Sequence, residues 1–322
     1  KERSMTDSLG SGSTPTLFHC PREDLGEQDT VLVGVPHASG DGANERDQRL
    51  GPEAVRQVSA VQRRAHSYLG IDPWSVSNIA DIGDVSFPSV DDNEDCVTRI
   101  TEFFEKIDAA GSRPVSIGGD HSITVGIAKA LGGGSLTDGK PVCLLHLDAH
   151  TNVHSKAGDA TGVEDFTTSW GAYLADQGKI DPHRSMKIGL RGHPPTLDWL
   201  QPPSERGFNL VTMAEYRKHG AEKVIARARD LFEDRPVYIT FDLDCLDPSV
   251  APGVAKVEAG EKGFETHEAL RLLHSVRGLN IIGGDVVGLT PTRDNPNRIT
   301  ALVAGVVMFE MISLIAENIA GK

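Results

Sequence analysis

The chain has 322 residues, 39% of them hydrophobic, with 34 glycines and 18 prolines, which suits one large α/β domain or two small ones. A net charge of −14 argues against a general phosphate-binding or membrane-surface role, because it would repel both, so neither nucleic acid nor membrane is expected as a partner. No apolar run is expected to reach the ~20 residues that span a bilayer, and the N-terminus carries no signal-peptide core. Cys20, Cys96, Cys143 and Cys245 are widely spaced with no CxxC pair, so a reducing, cytoplasmic setting is expected.

Lys1 to Ser4, ahead of Met5, read as a cloning remnant, and the Ser-, Gly-, Thr- and Asp-rich stretch through residue 28 reads as a flexible arm. A single domain is expected over 29–322. It opens with a strand, DTVLVGVP (29–36), then a helix over 51–68 with Pro at its first turn and another over 97–111 closed by glycine. RPVSIGGDHS follows, and an alternation sets in: helix ITVGIAKALGGG, strands PVCLLHLDAH and SMKIGLRG, helix GAEKVIARARDLFED, strand PVYITFDLDCLD, helix HEALRLLHSVRG, strand LNIIGGDVVGLTP and a long final helix, ITALVAGVVMFEMISLIAENI. Continuously apolar strands alternating with amphipathic helices predict a mainly parallel sheet covered on both faces, a three-layer α/β/α domain.

Ligands of such sheets bind beyond the carboxyl ends of the strands. His121, Asp148, His150, Asp242, Asp244, Asp247 and Asp285 all follow or end predicted strands. Singly, each has an ordinary explanation as a cap or a solvated carboxylate. Jointly they do not. DxH at 148–150 and DxD at 242–244 put both side chains on one side of an extended segment, and with His121 they converge from three strand ends. So many carboxylates and imidazoles around one crevice call for a cation, and the mixed set suits Mn²⁺, Ni²⁺, Co²⁺ or Zn²⁺. Shared carboxylates would allow two ions about 3.5 Å apart. Asp120 and Asp247 read as turn residues or as partners orienting ligands, and His146, Trp170 and Trp199 as core or support.

SIGGDHSIT, LLHLDAHTN and YITFDLDCLDPSVAPGV resemble the signature segments of the ureohydrolase family, which includes arginases and agmatinases. VGVPHASG with RLGPEAVR, DIGDV, IDPHRSMKIGLRG, and DVVGLTP before RITALVAGVVMFEM extend the likeness over nearly the whole chain from about residue 30. The resemblance implies an arginase-like three-layer fold and a dinuclear Mn²⁺ or Ni²⁺ centre. Its metal-bound hydroxide would attack a guanidinium carbon and release urea, in trimers or hexamers. Carried across, His121, Asp148, His150, Asp242 and Asp244 match metal ligands, with Asp148, His150 and Asp242 holding the hydroxide.

The sixth ligand, an Asp in the family, is Asn152 here. A neutral amide removes one charge and leaves a weak carbonyl donor. His154 could substitute but reads as a loop histidine. The family's proton-shuttling His falls at Thr167-Thr168-Ser169-Trp170, and its guanidinium-binding Glu falls at Gly288. The substrate loop after Gly253 differs too and carries Lys256, while the first loop keeps Arg46 and Arg49. Thr167, Gly288 and Lys256 thus stand where the resemblance implies substrate contacts.

Losing a ligand, a shuttle and a substrate carboxylate within a retained scaffold predicts a metal-poor subunit. It would assemble with an active homologue, as in metformin-hydrolase-like complexes that act on guanidines or biguanides. The alternatives are an independent amidinohydrolase, with Thr167, Asp165 or His154 moving protons, and a non-catalytic binder whose Arg46, Arg49 and Lys256 favour an anion.

Overall fold

The computed structural model describes residues 15–39, 46–59, 64–153, 166–194 and 196–321, with Phe166 and Thr167 as backbone only. Runs of β-branched and aliphatic residues form eight strands: β1 (Thr30–Val35), β2 (Ile79–Asp84), β3 (Arg113–Gly118), β4 (Cys143–Leu147), β5 (Met186–Leu190), β6 (Asn209–Thr212), β7 (Val237–Asp242) and β8 (Ile281–Val287). They make one sheet in the order β2-β1-β3-β8-β7-β4-β5-β6, and every pair is parallel.

The helices are α1 (Gly51–Ser59), α2 (Pro73–Val76), α3 (Asn93–Ala110), α4 (Ile123–Leu131), α5 (Phe166–Asp176), α6 (Gln201–Glu205), α7 (Met213–His219), α8 (Ala221–Phe232), α9 (Thr266–Leu273) and α10 (Ile299–Ile319). Two apolar cores separate the layers, as parallel strands buried on both faces require. One core joins Leu32 of β1 with residues of α1, α8, α9 and α10, and the other joins Val31, Val33 and Val35 with residues of α3, α4 and α5. The result is a three-layer α/β/α domain.

Four expectations need correction. The short edge strands β2 and β6 and the helices α2, α5, α6 and α7 were not foreseen, because each is too brief or too polar to show a clear period. The helix expected over 51–68 is described as far as Ser59 and does not reach 68, because by His66 the backbone has turned to bridge Ile71.

The arm is not free throughout. From residue 15 it is tied down, because the buried Asp81 of β2 accepts from the Leu17 amide (2.9 Å), Arg22 (3.1 Å), the Gly83 amide (2.8 Å) and Arg56 (3.1 Å to Nε). Residues 1–14 lie outside the described segments.

Finally, α10 is long and apolar enough to cross a bilayer, contrary to the reading of the sequence. It is 78% buried over its most apolar window and serves as the central helix of one face.

Candidate metal centre

Three loops leaving the carboxyl ends of β3, β4 and β7 build one crevice. Its wall includes Gln48, Asp120, His121, His150, Asn152, Asp242, Asp244, Val254, Ala255, Lys256 and Gly288.

The first loop turns immediately after β3. Gly119 is required there, since a Cβ would stand 1.8 Å from the His37 carbonyl oxygen. Asp120 then locks the turn by accepting from the Ser39 amide (2.6 Å) and hydroxyl (2.8 Å) and from the Ser122 amide and hydroxyl. This fixes buried His121. Its Nε2 lies 2.8 Å from the Thr240 hydroxyl, which donates to Asp285 Oδ1 at 2.7 Å. Thr240 therefore accepts from Nε2–H, which points the other ring nitrogen into the crevice.

Nδ1 of His121 stands 3.0 Å from Asp148 and 3.2 Å from Asp242. Burial disfavours the charged ring, but hydrogen bonds to Asp148 and Asp242 outweigh it and carry its pKa up to about 10.

Asp285 lies within β8 and is fully buried, held by Tyr238, Thr240 and Thr124. It was expected at a strand end as a crevice group; it braces His121 from inside the sheet instead. Asp247 caps a turn through Ser249 and Gly263.

The second loop places Asp148, His150 and Asn152 at alternate positions. Asp148 Oδ1 accepts the His150 amide (2.6 Å), and Asp244 Oδ1 accepts the Ala149 amide (3.1 Å). Nδ1 of His150 lies 2.9 Å from Asp244 and 3.5 Å from Asp148, and Nε2 lies 3.1 Å from Glu258. Burial opposes protonation of this ring, yet Asp244, Asp148 and Glu258 together hold it protonated well above the usual histidine range.

Asn152 adopts φ +50, a conformation Asn and Asp tolerate better than other side chains. Its Nδ2 donates to Asp148 Oδ2 at 2.5 Å and lies 3.3 Å from His121 Nδ1.

All five expected ligands therefore converge with Asn152. His121, His146 and Asp148 can bring one ligand atom each within 4.8 Å of one another, and so can Asp148, His150 and Asp244. The donor set fits a divalent ion. Burial and the neighbouring Asp244 and Asp148 carboxylates push Asp242 up to about 7, a cost that a cation among them relieves.

Gly288 reaches the crevice but offers no side chain, and Lys256 lines it. The side chain of Thr167 and all of His154 and Asp165 lie outside the described residues. Arg46 pairs with Asp91, and Arg49 is exposed.

Three supports escaped sequence reasoning. Buried Arg191 donates to the carbonyls of Asp244 (2.8 Å), Cys245 (3.1 Å) and Leu246 (3.0 Å), clamping the third loop. Glu258 backs His150. Beneath Asp148, His146 Nε2 sits 2.9 Å from its Oδ2, and the fully buried Lys187 places Nζ 2.6 Å from His146 Nδ1 and 4.8 Å from the Trp170 ring. Only the apolar burial of β5 hinted at Lys187, as a charge in a run that is otherwise core. Trp170 and His146 are core and support, as expected.

Burial lowers the Lys187 pKa to about 7, against a partial counter-effect from Asp148. The unfolded chain, near 10.5, binds more protons between these values. Burying the ammonium thus costs stability in full below about pH 7 and progressively less as pH rises to about 10.5. Relative to the parent, Lys187→Met should fare best in acid. The difference in Tm should move against the variant by roughly several degrees between about pH 6 and about pH 10. An unchanged difference between the two pH values would show that burial does not disfavour the Lys187 ammonium.

Fold and site together define a three-layer α/β/α protein with a His/Asp cluster suited to hold metal ions at the carboxyl ends of a parallel sheet. The profile of the arginase family matches residues 28–313, and the chain belongs to that family. It is 34% identical over 308 residues to guanidinopropionase of Pseudomonas aeruginosa, covering 95% of this chain and 93% of that protein. It is also 34% identical over 284 residues to the human mitochondrial guanidino acid hydrolase, covering 88% and 77%. Among solved structures, proclavaminate amidino hydrolase from Streptomyces clavuligerus superposes with a TM-score of 0.86 at 28% identity, covering 95% of this chain and 98% of that one.

Proposed function

We propose that this chain is the metal-poor, catalytically impaired subunit of an assembly that hydrolyses a C–N bond of a small guanidine or biguanide compound with release of urea. A homologous subunit with a complete centre would supply turnover, in a trimer or hexamer. The carrying observation is Asn152. Its amide donates to Asp148 Oδ2 beside His121 Nδ1, so a hydrogen-bond donor faces the atoms a cation would need.

Bound Mn²⁺ or Ni²⁺ would supply Lewis-acid activation of water. Asp148, His150, Asp242 and Asp244 would hold it, with His121 completing the set. Asp285 and Thr240 orient His121, Arg191 fixes the loop that carries Asp244, and Asp148 joins both histidine sides. Gly288 offers no carboxylate to a guanidinium, which supports impairment or a substrate that needs none. Four free, buried cysteines support a reducing, cytoplasmic setting.

A second reading is an independent amidinohydrolase. It is favoured by the convergence of all five ligands and by the activities in the names of the two relatives above. The anion-binding reading is weakened, since Arg46 already pairs with Asp91. The deciding assay measures urea release from guanidine compounds and biguanides by this chain alone, and by the chain co-expressed with a complete ureohydrolase. Turnover only in the mixture is the expected result; turnover by the chain alone at the mixture's rate would overturn the proposal.

A further inference from the structure

We infer that Glu258 is a positioning residue for His150 and that it couples the crevice loop around residues 254–260 to metal retention. Nothing in the local sequence announces this, since Glu258 lies 108 residues from its partner. Its Oε1 stands 3.1 Å from His150 Nε2, the ring nitrogen facing away from Asp244 and Asp148. An acceptor there keeps the proton on Nε2 and leaves Nδ1, which faces the crevice, as the nitrogen that would exchange its proton for a cation, the orientation a ligating imidazole needs.

The carboxylate is also seated. It accepts from the His193 backbone, and at Gly192 (φ +95) a Cβ would come within 2.1 Å of Glu258 Oε2. The chain keeps a side chain away from the place where this carboxylate docks.

The two histidines of the centre are thus backed differently. His121 leans on Thr240 and Asp285, which are fixed inside the sheet and fully buried. His150 leans on a partly exposed carboxylate carried by the loop that contributes Val254, Ala255 and Lys256 to the crevice wall. Whatever displaces that loop withdraws the support of His150, so ligand entry and metal grip act on each other through one side chain.

This inference rests on His150 as a metal ligand, and two readouts on the full-length chain separate the two ideas. Calorimetric titration with Mn²⁺ and with Ni²⁺ should show E258A binding on the order of tenfold to a hundredfold more weakly than the parent. E258Q keeps an acceptor for Nε2–H and should recover most of that loss, which a purely structural role would not explain. In the absence of added metal, trypsin should cut after Lys256 faster in E258A than in the parent.

Faster cutting with no metal uptake by the parent would leave the Glu258 anchor standing and sink the metal reading of the site. E258A matching the parent in both metal affinity and cleavage rate would overturn the inference.

Discussion

Asn152→Asp raises the metal content of the chain toward two divalent ions and tightens binding on the His121 side by at least about tenfold. In the parent, the Asn152 amide donates to Asp148 Oδ2 at 2.5 Å and stands 3.3 Å from His121 Nδ1, so one carboxylate oxygen is already engaged by a donor and a second N–H faces the ring. Aspartate reverses the polarity at that point and adds a negative charge. The backbone needs no change, because φ +50 is as accessible to Asp as to Asn. Elemental mass spectrometry after Mn or Ni loading and dialysis reads the result directly. A variant with the parent's metal content would mean that position 152 is not what limits occupancy.

Gly288→Glu, by contrast, does not restore a guanidinium-binding carboxylate. Gly288 sits at φ +88, where a side chain is strained, and its Cβ would lie 2.4 Å from Asp242 Oδ1. That oxygen accepts the Asp244 amide at 3.0 Å, so it cannot retreat without disturbing the second DxD carboxylate. Backbone strain of about 1–3 kcal/mol and a similar overpacking cost add to a displaced ligand.

Denaturant unfolding of Gly288→Glu should therefore show a loss of several kcal/mol, with Gly288→Ala showing most of it. Metal affinity should fall in both. A glutamate variant of parental stability that gained affinity for a guanidinium compound would sink this account. The difference at position 288 is thus built into the backbone, whereas that at 152 is confined to one side-chain atom.

Much of the frame was legible because burial leaves a periodic trace. Strands β1, β3, β4, β5, β7 and β8 are mostly apolar runs, and DxH and DxD stand where two of them end. The edge strands β2 and β6 left less trace, one carrying the polar Asp81 and the other only four residues long. Asp285 was misplaced because a buried carboxylate inside a strand looks, in sequence, like one at its end. The hydrogen bonds it accepts from the Tyr238, Thr240 and Thr124 hydroxyls could not be read from spacing. Glu258, Arg191 and Lys187 were missed for the same reason: each acts across the fold on a partner that no local pattern identifies. The significance of Asn152 came from the family resemblance, and the structure adds where its amide points.

The strand order also bears on when the centre can come into being. β8 lies between β3 and β7, so without it the sheet falls into two separate pieces, one carrying His121 and the other Asp148, His150, Asp242 and Asp244. β8 is also the last strand among the described residues. During synthesis from the N-terminus, the nascent polypeptide carries these five side chains before it carries the strand that brings them together. Convergence of the cluster therefore waits on the residues from Ile281 onward.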